Sequence, residues 1–310
     1  MNDIAARSPS VRKLAAAGSL LLAACGLVLG AVGHPAHELR VLALGEGAAV
    51  REVLDTFRQH YPGLPHSSDA RVLSQRAGPG VYLAVGPAAL QAALEADLQP
   101  VVSLFASGQT YQQVLAAADP ERRSAVTAIY AEASPQAQLE VIAALYQRRV
   151  TVGVLLSELT ARLEPGLRRA ASRLGLNLAV HRVAAGDNVV RELNALSSAT
   201  VILALPDSSL YSKDNLGLLL ESSYRRRQPI VGFSPALVHA GTLASAYASV
   251  EDIAAHLDEV LPQLEAGRLP EPQYPMYWRV AINEHVARSL SITVSDAVRE
   301  MGNRPPGRPR

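Results

Sequence analysis

Small hydrogen-bonding residues recur in short polar stretches that each follow an apolar run: Gly45-Glu46-Gly47, Ser107-Gly108, residues 157–160 with Ser157 and Thr160, Asp207-Ser208-Ser209, and Ser234. In open α/β sheets a ligand binds beyond the carboxyl ends of the strands, so such loops can converge where two sheets face one another. Their side chains are hydrogen-bonders rather than activated acids or bases, which suits reversible capture better than turnover. Residues 206–210 lack the flanking glycines of a nucleophile elbow. The Gly45–Gly47 turn could cradle a pyrophosphate at a helix start, but Val50 stands where the third glycine of that motif belongs. A tight turn into a helix is the simpler reading. His34 and His37 are separated by Pro35 and Ala36, and His181, His239, His256 and His285 are scattered, so no metal-ligand set forms. Arg225-Arg226-Arg227 suits the end of a helix, where cations complement the dipole. Tyr274, Tyr277 and Trp278 could stack on a ligand or pin a connecting segment. No catalytic constellation and no cofactor motif emerges.

The elements that must position these loops alternate along the chain. Candidate strands cover residues 39–44, 81–85, 101–105, 150–155, 178–183, 201–205 and 230–233, several of them continuously apolar as in strands covered on both faces. Helical patterns lie at 48–60, 139–148, 167–174, 189–196 and 253–264. This alternation predicts α/β architecture with parallel, doubly wound sheets. A break between two sheets falls near 134–149, where Ser134-Pro135 reads as a helix cap and first helical residue.

With 310 residues, 49% hydrophobic and 18% charged, the chain is long enough for two medium domains and far too apolar for disorder. A net charge of +1 argues against nucleic acid as the main partner. One cysteine excludes a disulfide framework. Arg7, Arg12 and Lys13 precede an apolar stretch from 14 to 32, the order of a secretory signal, so residues 1–33 are expected to be a signal peptide or anchor. Two processing readings compete. Leu22-Ala23-Ala24-Cys25 resembles a bacterial lipobox with Cys25 as the lipidated residue, while Ala31-Val32-Gly33 offers ordinary cleavage near His34. The Pro- and Arg-rich residues 303–310 read as a disordered tail.

Residues from about 126 to 298 resemble the substrate-binding proteins of ABC-type uptake systems, with the type I periplasmic fold, in the group associated with tryptophan and tyrosine binding. The resemblance rests on ordered pieces. Ser134-Pro135-Gln136-Ala137-Gln138-Leu139-Glu140 opens the interdomain helix, and Arg149-Val150-Thr151-Val152-Gly153-Val154-Leu155 gives the next strand. Residues 199–207 form a strand ending in Pro-Asp, followed by Ala240-Gly241-Thr242-Leu243-Ala244-Ser245 and then Glu265-Ala266-Gly267-Arg268-Leu269-Pro270. Val280-Ala281-Ile282-Asn283 and Leu290-Ser291-Ile292-Thr293-Val294 close the series. It implies two α/β lobes with three crossings and an interlobe cleft, which we divide as residues 39–147 plus 235–268 and residues 148–234 plus 269–300. It further implies a monomeric, exported protein that captures a small, amino-acid-like solute without transforming it, for a membrane permease. Within that frame Gly45 and Ser209 lie in the candidate loops. Glu46 and Asp207 are candidate partners for a ligand amine, and Ser107, Ser157, Thr160, Ser208 and Ser234 for a carboxylate. Two other readings remain: an exported binding-lobe protein serving an envelope complex as accessory or sensor, and a nucleotide-using α/β enzyme.

Overall fold

The computed structural model describes residues 38–307, so Cys25, His34, His37, the expected export segment and residues 308–310 lie outside the described residues. The first sheet is built from β1 (Glu38–Ala43), α1 (Ala48–His60), β2 (His66–Ser67), α2 (Ala70–Ser74), β3 (Gly80–Val85), α3 (Pro87–Glu95), β4 (Val101–Leu104), α4 (Gly108–Ala117), α5 (Pro120–Arg123) and β5 (Val126–Ile129). Its order is β2-β1-β3-β4-β5 and every pairing is parallel. All residues of β3 and β4 are buried, which the continuous apolar runs require when helices cover both faces. Arg40 is the exception to an apolar strand. Its fully buried guanidinium donates to the carbonyls of Arg76, Ala77 and Gly78, to the Tyr82 hydroxyl and to Glu38, and so fixes the loop before β3. Gly80 leaves room for it, since a Cβ there would lie 2.9 Å from the guanidinium carbon.

The chain then enters a second sheet through α6 (Pro135–Tyr146), β6 (Thr151–Leu156), α7 (Glu164–Arg173), β7 (Asn177–Arg182), α8 (Val189–Glu192), β8 (Val201–Leu203), α9 (Lys213–Arg225), β9 (Ile230–Val231), α10 (Pro235–Ala240) and β10 (Ala244–Tyr247). It crosses back as α11 (Val250–Glu265) and returns once more for β11 (Trp278–Ile282), α12 (Glu284–Ser289), α13 (Asp296–Arg299) and β12 (Gly302–Asn303). The order of this sheet is β12-β11-β10-β9-β8-β6-β7, parallel from β7 to β10, with β11 and β12 added antiparallel.

Three differences from the sequence reading are informative. Helix α6 belongs to the second lobe, because Leu139 and Ile142 pack with Val152, Val154 and Leu203 while Val141 and Leu145 pack with Leu243 and Ala246. Residues 235–247 also belong there, since Ala244 of β10 pairs with Val231 of β9. Asn303 is not in a free tail: it pairs with Trp278, and its amide donates to the Met276 carbonyl at 3.0 Å. Helix α11 does join the first lobe, where Ile253, Leu257, Val260 and Leu264 share a core with Val41, Phe57 and Leu83. No helix among the described residues is long and apolar enough to cross a membrane.

Candidate functional site

The loops after β4 and β5 of one lobe and after β6, β8 and β9 of the other meet at the base of a groove beside the crossings. Gln109, Glu132 and Tyr274 line it from the first lobe and its crossings, and Thr160, Arg162, Leu205 and Phe233 from the second. The space enclosed at this base is about 10 Å³, room for one water at most.

Its polar centre is Glu132, 7% exposed, on the first crossing. The chain turns sharply after β4 through Phe105, whose φ of 61° is left-handed, and Ser107 then caps α4 by accepting from the Thr110 amide at 3.1 Å. That geometry aims the Gly108 amide at the Glu132 carboxylate, 3.0 Å from one oxygen and 3.3 Å from the other. Burial pushes the Glu132 carboxyl up to about 7, against the opposing pull of the Gly108 amide, its own amide and Arg162. Tyr130 lies 5.7 Å from Tyr111 and 5.1 Å, edge-on, from Tyr274, ring centre to ring centre. Burial raises the Tyr274 hydroxyl to about 12. Across the groove Tyr211 and Phe233 form a second edge-on pair at 6.3 Å. One buried polar atom of the groove lining has no protein partner, the Gln109 amide nitrogen; the Tyr211 hydroxyl is also unpartnered, but Tyr211 packs in the second-lobe core and does not line the base. Unpartnered buried donors are costly, and a bound solute or water is the usual partner.

The residues expected to bind ligand fall into three groups. Thr160 reaches the groove. Ser157 and Ser209 do not line its base, because both donate to Asp207, at 2.6 Å each, and Thr160 adds a bond to the same carboxylate at 2.8 Å. Ser107 and Ser234 are helix caps beside the groove, and Ser208 is exposed next to it. Gly45 and Glu46 are exposed and do not line the base; Gly45 takes a φ of 88°, a turn into α1, and Val50 packs against the core. Sequence reasoning missed Gln109, Tyr130, Glu132, Arg162 and Phe233 as site residues. The signal for Glu132 was the apolar run 126–130, a strand whose downstream loop was not searched. Wider depressions exist elsewhere, such as one of about 530 Å³ between Arg148, Arg227 and Ser291, but it lies at the amino ends of β6, β8 and β9, away from the groove.

Polar contacts between the lobes, among the described residues, are confined to the crossings. Arg279 of β11 holds Asp252 of α11 with two bonds of 2.8 and 2.9 Å, and the Tyr277 hydroxyl donates to Glu259 at 3.3 Å. Among the described residues no such link joins the lobe tips.

No family model matches the chain, and no curated protein does. Solved structures do resemble it. An ABC domain in complex with L-Trp from Streptococcus pneumonia aligns with a TM-score of 0.54 and 19% identity, over 84% of this chain and 97% of that one. A ligand-free, open substrate binding protein with adhesive properties from Clostridium difficile aligns with a TM-score of 0.61 and 14% identity, over 84% and 97%. A conserved domain protein from Vibrio cholerae gives 0.52 and 17%, over 85% and 97%. At these identities the likeness establishes the fold: two α/β lobes of the type I periplasmic binding kind.

Proposed function

We propose that this chain is the exported solute-binding component of an ABC-type uptake system and captures a small, amino-acid-like ligand between its lobes. The observation that carries the reading is the groove: loops at the carboxyl ends of both sheets meet there, with aromatic walls and a buried Gln109 amide nitrogen that lacks a partner. Lobes whose polar links, among the described residues, lie at the crossings suit closure about a hinge, and the closed form is what a permease would recognise. No chemistry is performed on the solute. Export by residues 1–33, processed either at Cys25 or after Gly33, and a monomeric state belong to the same reading.

The test is a thermal-shift screen of the full mature chain against amino acids and related small metabolites. A true ligand at a hundredfold excess over its Kd should stabilise the protein by about 2.7 kcal/mol. An unchanged Tm across the screen would reject solute capture. The narrowness of the groove base favours a second reading, in which the lobes serve an envelope complex as an accessory or sensing unit. That role predicts the negative screen.

A further inference from the structure

We propose that Glu132 is the charge-reading group of the groove, so that the lobes close over it only when it carries a proton or faces a cationic amine of the solute. This rests on the solute-capture reading and deepens it, naming an ammonium-bearing ligand and coupling its capture to proton release.

The argument starts from position. Glu132 stands on the first crossing, where its backbone bridges to Tyr247 at the end of β10, so hinge motion passes through the residue itself. Its protein donor from the first lobe is the Gly108 amide, a neutral group. The groups that cover it come partly from the other lobe: Thr160, Arg162, Leu205 and Phe233. Closing the lobes therefore removes water from a carboxyl that has no cation bonded to it, and an ionised carboxylate resists that transfer.

The other charged or titratable groups facing it do not change this. Arg162 attracts the carboxylate from across the groove, yet makes no ion pair with it among the described residues. Tyr130, Tyr111 and Tyr274 are held neutral by burial, and Glu271 acts on the tyrosines as a further negative charge. An ammonium placed against Glu132 supplies the missing charge, while Arg162 opposite can take an anionic end of the same solute. Asp207 and Glu46 cannot serve as that partner at the base of the groove, the first being saturated by protein donors and the second lying outside it.

The sign follows. Burial raises the carboxyl to about 7, so below that pH the empty groove holds a proton that an ammonium must displace. Apparent affinity for an amine should then fall about tenfold per pH unit below the pKa, until the lower pKa of the carboxyl in the amine-bound complex is reached. Affinity for a neutral analogue lacking the amine should not follow this line.

The experiment is titration calorimetry of the full mature chain with the standard L-amino acids, and with the deaminated analogue of whichever binds. Measurements are made between about pH 5.5 and 8 in buffers of different ionisation enthalpy. The proposal expects release of close to one proton per bound amine near pH 6 and almost none at pH 8. In Glu132→Gln, which keeps the shape and can still accept from Gly108, proton release should vanish and amine affinity drop at least tenfold at pH 8. Thermal melts of the variant check that it folds. In parallel, X-ray scattering of the ligand-free wild type should show the lobes opening as pH rises through 7, and the variant should show no such step. Binding without proton release, with Glu132→Gln binding as tightly as wild type, overturns this inference and leaves solute capture standing. If no amino acid binds at any pH, solute capture fails; a pH-invariant scattering profile would then refute the proton half as well.

Discussion

The carboxylate of Asp207 receives the hydroxyls of Ser157, Thr160 and Ser209 and the Ser209 amide, and the residue is 3% exposed. Such a knot ties the loop after β6 to the loop after β8 and leaves little accepting capacity for a solute. Replacing Asp207 by Ala strands at least two buried hydroxyls, which should lower unfolding free energy by about 3 kcal/mol in urea titrations. An unchanged midpoint would return Asp207 to the list of ligand contacts. The residue type and its place after a strand were readable in the sequence, but its partners were not. Ser157 lies fifty positions away, and only the parallel pairing of β6 with β8 brings the two loops together. Glu132 was hidden for the opposite reason. Nothing in Ala131-Glu132-Ala133 marks a buried carboxyl until the Gly108 amide and the facing lobe are placed around it.

At the scale of elements, long apolar or amphipathic runs were legible and short ones were not. The helix expected at 48–60 is α1 residue for residue, and the strand expected at 81–85 starts one residue earlier. Strands β5, β10 and β11 were missed because four or five residues carry too little period to separate them from loops. Helix α9 has Gly217 and a polar first turn, which masks its apolar face. The brevity of β9 has a structural consequence. At two residues it pairs with β10 only at Ala244, so the edge of β10 beyond that point lacks a strand partner on this side. The buried Gln138 amide of α6 takes its place, accepting from the Ala246 amide at 2.8 Å and donating to the Ala246 carbonyl at 2.7 Å. Ser245 also serves that carbonyl, so Gln138→Leu should strand chiefly the Ala246 amide. A loss of about 2 kcal/mol is expected, read by chemical denaturation. Faster hydrogen exchange at Ala246 in the variant would locate the loss, and protection equal to wild type would refute the role.

For the whole molecule, two buried titratable groups act on stability in opposite directions. His256 is buried, accepts from the Met276 amide at 3.2 Å, and is held below its usual range by burial, so the unfolded chain binds its proton more readily than the folded one. Its contribution is present above about pH 6.5 and is lost as pH falls. Glu132 works the other way, since its raised carboxyl favours the folded state at acid pH and that advantage is lost as pH rises through about 7. In Glu132→Gln the remaining acid limb should appear as a steady fall in unfolding free energy below about pH 6.5, and adding His256→Gln should flatten it. A slope unaltered by the second substitution would exclude His256 as its source. Molecular architecture also sets an order of assembly. The core of the first lobe includes Ile253, Leu257 and Val260, contributed by a helix that starts more than a hundred residues after that lobe's last strand. While the polypeptide is being synthesised, the opening third thus emerges with one wall of its interior missing. That wall cannot be added until most of the second half has left the ribosome, so the opening third must wait, unfinished, for a partner made long after it.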